Sequence, residues 1–538
     1  SDTEVLLEAC AAWGMEAAIA RCEGMFAFAL WDRQARQLRL VRDRIGIKPL
    51  YWGLQGGTLV FGSTPRCFAH HPRWRAEIDR EAVAACLRYS YIPAPLSIWR
   101  DVRKLEPGRI LTVDAGGQPR ETRYWNLAEI AAGAPAPPAG DAEAADRLEE
   151  LLRDAVASHL VADVPVGAFL SGGIDSTLMV ALMQARSARP VKTFTIGFDQ
   201  GDADESGHAR AVAAHLRTDH AELHLRDGDL PDLLPGVVEG FDEPFADASM
   251  IPTLLVSRLA RGSVKVCLSG DGGDELFAGY TRYRLAANLH RTLRLLPAGL
   301  RRGLAAAMTS LGPGTWDLLA AALPASARPA FVGDRVHKLA AVLDFSGPMD
   351  LYQRLMSSWV DPGQAVPGTR RPAGTIWSDP PGAGSFVSRM QLVDTLTYLP
   401  DGILVKLDRA SVAVGLEGRV PILDHRLVAF AAGLPDRLKR REGRSKWLLR
   451  QVLYRYVPPA LVERPKMGFA PPTGAWLRGP LRDWAEDLLD VRSLAQGGLF
   501  DPAPVRRRFE DHLCGRRNWQ FSLWEVLMVE AWRRRWAA

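Results

Sequence analysis

The sequence predicts an α/β protein, with a sheet-rich amino-terminal part, a parallel-sheet α/β domain and a helical carboxyl-terminal part. Three observations predict it. Short apolar strands separated by Gly turns fill the first 125 residues. A Pro/Ala/Gly stretch at 131–142 (AAGAPAPPAGDA) cannot form a packed element and reads as a linker. After it, apolar strands alternate with helices, the pattern of a parallel sheet covered on both faces.

The elements follow in order. Ser1 or Asp2 caps a helix, with Glu4 in its first turn and Val5, Leu6 and Ala9 behind. Residues 26–31 alternate, 32–37 turn, and 38–41 run back. Strands at 50–52 and 59–61 flank Gly56-Gly57, and strands at 109–113 and 122–125 flank Gly116-Gly117. Beyond the linker come a helix (142–160), a strand (164–170), a Gly-rich turn and a helix to Met183. A strand (191–197), a helix (206–216), a short strand near 221–225, helices at 230–241 and 250–260 and a strand at 264–268 complete the alternation. Ligands of such sheets gather at the carboxyl ends of the strands. From about residue 285 the chain reads as mainly helical, and the apolar stretch 304–323 reads as helices of a core.

Composition bounds the function. The 538 residues fit two or three domains at about 150 residues each. With 47% hydrophobic and 24% charged residues, global disorder is excluded. A net charge of +5 supplies no field for coating nucleic acid or an anionic membrane, so the expected partners are small molecules. The six cysteines (Cys10, Cys22, Cys67, Cys86, Cys267, Cys514) form no CxxC pair, which predicts free thiols in a reducing cytoplasm. No uninterrupted apolar run of about 18 residues predicts a membrane span.

Two turns carry the chemistry. Ser171-Gly172-Gly173-Ile174-Asp175-Ser176 follows a strand and opens a helix. Two glycines let backbone N–H groups curl around an anion, two hydroxyls add donors, and the helix directs its positive end there. Asp175 is wrong for direct phosphate contact but suits a Mg²⁺ ion shared with phosphate oxygens. An ordinary Gly turn capping a helix is the plain alternative. The second turn, Ser269-Gly270-Asp271-Gly272-Gly273-Asp274-Glu275, crowds three carboxylates at another strand end. Like charges this close require a cation or a basic group. A Ca²⁺ loop is the rival, but EF-hand spacing is absent.

Together the two turns resemble the N-type ATP pyrophosphatase domain. The match extends through residues 399–411 (LPDGILVKLDRAS), 415–424 (GLEGRVPILD), 445–450 (SKWLLR) and 464–469 (RPKMGF). With residues 24–32 (GMFAFALWD) and 42–51 (RDRIGIKPLY), the chain resembles the glutamine-hydrolysing asparagine synthetase family over nearly its whole length.

The resemblance implies a partial Ntn-type α/β/β/α glutaminase domain at 1–130, a linker at 131–142 and an ATP-pyrophosphatase domain at 143–538. It implies amidation of aspartate through β-aspartyl-AMP, with ATP and Mg²⁺. Ser171, Gly172, Gly173, Asp175 and Ser176 would hold the departing pyrophosphate, with Ser269 in the facing turn. Asp175 and Asp274 would ligate Mg²⁺, and the backbone near Leu170, Ile196 and Gly270 would hold adenosine. Lys466 would stabilise charge on the phosphates. Glu275 would sit near the acceptor, and Asp271, where many relatives carry Glu, near the attacking ammonia. Lys446 and Asp401 are further candidates. Glu417, Arg419 and Asp424 read as a buried ion-pair network, and the basic runs 437–444 and 533–535 as solvated faces.

In the amino-terminal part, Asp2 resembles the residue that binds the amino group of glutamine. The family's catalytic Cys stands at the extreme amino terminus, where this chain has Ser1, and Cys10 reads as a core residue. The expectation is an amino-terminally truncated sequence that uses free ammonia without hydrolysing glutamine. A homodimer is compatible with the resemblance. A related amidotransferase acting on another carboxylate, such as a sugar acid or a ring-closing substrate, is the alternative. A non-catalytic nucleotide-binding protein is the rival from another class.

Overall fold

The computed structural model describes residues 1–134, 138, 140–198, 205–320, 332–369, 376, 384–464 and 471–537. The alternating strands of the amino-terminal part pair antiparallel as the Gly turns require. They are β1 (Ala27–Asp32), β2 (Gln37–Arg42), β3 (Tyr51–Gln55), β4 (Thr58–Gly62), β5 (Val102–Lys104), β6 (Arg109–Val113) and β7 (Pro119–Arg123). They form one sheet of order β1-β2-β6-β7 and another of order β4-β3-β5. Leu40 and Leu111 from the first sheet meet Trp52 from the second in one buried cluster. The helix Asp2–Trp13 begins with the expected capping box of Ser1 and Glu4.

Helix Asp141–His159 leads into five parallel strands: β8 (Val166–Phe169), β9 (Lys192–Phe198), β10 (Asp219–Leu225), β11 (Val266–Leu268) and β12 (Glu417–Arg419). Their order is β10-β9-β8-β11-β12. The pleat sends successive side chains to opposite faces. Val266 and Leu268 of β11 accordingly enter one large core, with Leu148, Leu178 and Leu407, while Cys267 enters another, with Phe194, Leu254 and Trp524. These two cores sandwich the sheet and hold its strand ends in place.

Three expectations need correction. Most of 304–320 is not core: Leu304 in helix Ala298–Ser310, Leu311 just past its end, and Leu318 and Leu319 in helix Pro313–Ala320 are exposed, although Ala320 is buried, and residues 321–323 lie outside the described residues. Their Leu and Ala residues are spread around the helices, so packing on helix Val332–Leu343 leaves the other sides outside. The second correction concerns the expected ion-pair network. Arg419 pairs with Glu417 at 2.7 Å, but Asp424 turns to Arg426 at 2.8 Å and caps helix His425–Gly433. Glu417 and Arg419 lie on β12 and Asp424 beyond the strand's end, which separates them. The third is Lys439, buried within the basic run 437–444, whereas its neighbours Arg437 and Arg441 are exposed and pair with Asp141. Cys10 is half-buried on its helix beside the Met15–Ile19 cluster.

The antiparallel part is fastened to the parallel part by polar contacts. Glu243 accepts hydrogen bonds from Tyr51 Oη at 2.9 Å and the Ile98 amide at 2.7 Å, and pairs with Lys104 at 2.8 Å. Asp401, itself buried, accepts from the Ala94 amide at 2.7 Å. Lys48 reaches Asp408 at 3.0 Å. No helix among the described residues is long and apolar enough to cross a membrane.

Candidate active site

Strands β8 and β11 are adjacent, so the turns that follow them meet at one end of the sheet. In the first turn Ser171 Oγ and Ser176 Oγ lie 3.0 Å apart, Ser176 Oγ accepts the Ser171 amide at 3.2 Å, and Ser171 Oγ accepts the Gly173 amide at 3.3 Å. Helix Ile174–Gln184 begins there and directs its free amides into the turn. Gly172 has φ +71°, and a Cβ on it would sit 2.9 Å from the Ala209 amide nitrogen. In the second turn Ser269 Oγ donates to Asp271 Oδ2 at 2.7 Å. The two turns touch at Gly270, where a Cβ would stand 2.7 Å from the Ser176 nitrogen. Leu170 donates its amide to Phe194 O at 2.9 Å, bringing it beside β9, the strand that contains Ile196.

The basic group that the crowded carboxylates require is Lys446. Its ammonium contacts Asp175 Oδ2 and stands 2.8 Å from Asp274 Oδ1, joining the two turns through one cation. Burial works against the charged form, yet the two carboxylates together hold the ammonium's pKa above its ordinary value. Lys446 caps helix Trp447–Leu453 at φ +54°, a conformation unusual for a residue with a side chain. Its amide donates to Phe277 O at 3.2 Å, just beyond the acidic turn. A second lysine, Lys406, pairs with Asp247 at 3.0 Å, and the charge of Asp271 also favours its protonated form.

Glu275 is buried beneath the turn and accepts from Tyr280 Oη at 2.6 Å. Burial, reinforced by Asp274, raises its pKa to about 7. Arg282 stacks over the Tyr280 ring at 3.6 Å and over Tyr398 at 4.9 Å, and is anchored to Asp394 at 2.8 Å. Arg464 donates to Ser171 O at 3.2 Å and pairs with Glu205 at 3.0 Å.

The structure thus brings together Ser171, Gly172, Gly173, Asp175, Ser176, Ser269, Gly270, Asp271, Asp274, Glu275 and Lys446. Lys466, with residues 465–470, lies outside the described residues. Asp2 is exposed at the start of the first helix, where its carboxylate accepts the Thr3 amide at 2.8 Å. Asp401 sits at the contact between the two parts. Sequence reasoning missed Arg464, Tyr280, Lys406 and Arg282. Arg464 opens the RPKMGF motif and Lys406 lies inside LPDGILVKLDRAS, so proximity to a motif was the available signal for both.

A two-sheet antiparallel domain, followed by a parallel α/β domain whose Gly-rich strand ends are joined by a lysine, defines a nucleotide-using enzyme with an amidotransferase-type domain. The chain belongs to the asparagine synthase family: the family model described as asparagine synthase matches residues 147–534. The model described as a glutamine amidotransferase domain matches residues 1–125. A putative glutamine-hydrolysing asparagine synthetase of Mycobacterium tuberculosis is 36% identical over 543 residues, covering 99% of this chain and 79% of that protein. Glutamine-hydrolysing asparagine synthetase 1 of Bacillus subtilis is 32% identical over 542 residues, covering 99% and 80%. Amidase chry2 of Gibberella zeae is 26% identical over 544 residues, covering 93% and 77%. The protein is therefore an ATP-using carbon–nitrogen ligase of the glutamine-dependent type.

Proposed function

We propose that the protein makes asparagine from aspartate. The aspartate side-chain carboxylate attacks the α-phosphorus of ATP, pyrophosphate leaves, and ammonia displaces AMP from the resulting β-aspartyl-AMP. The observation that carries this reading is the joining of Asp175 and Asp274 by Lys446 at the meeting of two Gly-rich strand ends. A carboxylate is a poor acyl donor, so the reaction depends on placing two anions together and neutralising the phosphates.

Each residue then has a task. The amides of the first turn and the hydroxyls of Ser171 and Ser176 bind the β- and γ-phosphates. The backbone at Leu170, Ile196 and Gly270 borders adenosine, with Ser269 orienting Asp271. Lys446, and Lys466 beyond it, offset phosphate charge. Glu275 and Tyr280 border the acceptor, and Asp271 holds the proton released by the attacking ammonia. Asp2 is assigned to glutamine. The division is 1–130, linker 131–142 and 143–538, and the setting is cytoplasmic.

Mg²⁺ fits the donor set. Among the described residues no cluster of three or more His, Cys, Asp or Glu could hold a metal. Two facing carboxylates, Asp175 and Asp274, match an ion that completes its shell with phosphate oxygens and water. Bound there, it would supply charge neutralisation for the leaving pyrophosphate.

The test is pyrophosphate release with ATP, Mg²⁺ and ammonium, comparing aspartate with other carboxylates. Aspartate is expected to give the highest kcat/KM. A faster reaction with a sugar acid or another carboxylate would replace aspartate as the acceptor.

A further inference from the structure

Lys439 is the most unusual cation outside the nucleotide turns. It is 4% exposed, and no carboxylate lies within ion-pair distance of it among the described residues. Among the described residues its side-chain hydrogen bond is a long one, 3.4 Å to Gln391 Oε1. A buried charge without a counter-ion is costly. Burial, opposed in part by Asp436, lowers its pKa to about 8, which still leaves it mostly protonated at neutral pH.

Lys439 lines a cavity of about 200 Å³. That is several times the roughly 30 Å³ share of a water molecule. Arg389 lines the same space, and its buried Nε has no hydrogen-bond partner among the described residues. The rest of the lining combines apolar side chains, among them Leu127, Ala131, Val428 and Ala432, with Ser388, Thr395 and one acidic group, Glu275. The cavity lies where the short helix Leu127–Ala132, at the exit of the antiparallel part, meets helices Phe386–Leu396 and His425–Gly433.

Two cations outnumber the one acidic group, Glu275, whose carboxyl is raised to about 7 by burial, and this balance suits a compact anion. Charge-assisted hydrogen bonds favour a carboxylate there. We infer that this cavity binds a small carboxylate of amino-acid size, held by Lys439 and Arg389. Occupancy is felt at the acidic turn. Gln391 accepts from Lys439 and donates through Nε2 to the carbonyl oxygens of Glu275 at 2.7 Å and Leu276 at 3.0 Å. A ligand that takes up Lys439 therefore acts on the turn that carries Asp274 and Glu275. The inference does not require that aspartate be the acceptor.

Isothermal titration of the full chain without nucleotide, using L-aspartate and L-glutamate as probes, tests it. The wild type is expected to bind at least one probe at a single site. K439M, which keeps the length of the side chain and removes its charge, is expected to weaken that binding by about tenfold or more. R389M tests the second cation and serves should K439M fail to fold. The source is separated by pyrophosphate release. A raised KM for the acceptor with an unchanged KM for ATP assigns the cavity to the acceptor. A lost response to L-glutamate with the acceptor KM unchanged assigns it to a second carboxylate acting as an effector. Absence of binding to the wild type, or equal binding to the wild type and both variants, overturns the inference.

Discussion

Replacing Lys446 by Met gives the sharpest test of the site. The ammonium is 7% exposed and stands 2.8 Å from Asp274 while also contacting Asp175. At an effective dielectric of about 20, one such pair is worth about 6 kcal/mol before desolvation is subtracted. Removing one member of a buried pair typically costs about 3–5 kcal/mol, because the remaining charge loses its compensation. Here two carboxylates would be left facing each other, so K446M should lose stability in that range without ligand. The double variant D175N/K446M removes one of the two repelling charges and should recover most of the loss. Guanidinium unfolding of the three proteins measures this. Added Mg²⁺ should raise the midpoint of K446M more than that of the wild type. ATP/pyrophosphate exchange in K446M should fall by about 10²–10³-fold, the usual scale for one missing electrostatic partner. A K446M midpoint equal to wild type, or no recovery in the double variant, would refute the reasoning.

Three further outcomes follow from the geometry. In Gly270→Ala the new Cβ meets backbone of the facing turn, 2.7 Å from the Ser176 nitrogen, so the turns must part; the KM for ATP should rise about tenfold. Lys439 titrates near 8 when folded against about 10.4 when unfolded, so the unfolded chain binds more protons and wild-type stability rises with pH between those values. K439M should therefore exceed wild type by an amount on the order of 3 kcal/mol at pH 7 and lose that advantage above pH 10; unfolding curves with no such convergence would contradict it. Glu243→Ala leaves Lys104 buried between the two parts of the chain without its carboxylate. About 3 kcal/mol should be lost, with earlier proteolysis between the parts, and an unchanged melting temperature would count against the role of this contact.

The parallel sheet was legible chiefly through β8 and β11, apolar runs ended by Gly turns, and four of its five strands were read within a few residues. The fifth, Glu417–Arg419, contains no apolar residue, and pairing with β11 alone makes it a strand. The two phosphate-type turns were legible because glycine and hydroxyl spacing is a local signal. Lys446 was a candidate through the resemblance, but its joining of the two turns was not legible, since it lies about 170 residues beyond the second turn and its placement depends on a left-handed backbone at one position. Lys439 shows the opposite error. A basic run implies solvent exposure, but one register position of helix Asp436–Lys439 turns inward against Gln391. The stretch 304–323 misled because apolar composition was read without asking whether its residues share a face.

The edge position of β12 has a consequence for synthesis. Residues 266–268 emerge from the ribosome about 150 residues before the strand that will cover their open edge. Through that interval β11 offers unpaired backbone groups beside a loop of three carboxylates that still lacks its lysine. Non-local pairing of this kind is slow and leaves edges open to wrong partners. Assembly of the nucleotide pocket therefore belongs to the last stage of folding. A nascent chain stalled between residues 280 and 410 should be protease-sensitive at β11 even when β8 and β9 have already paired.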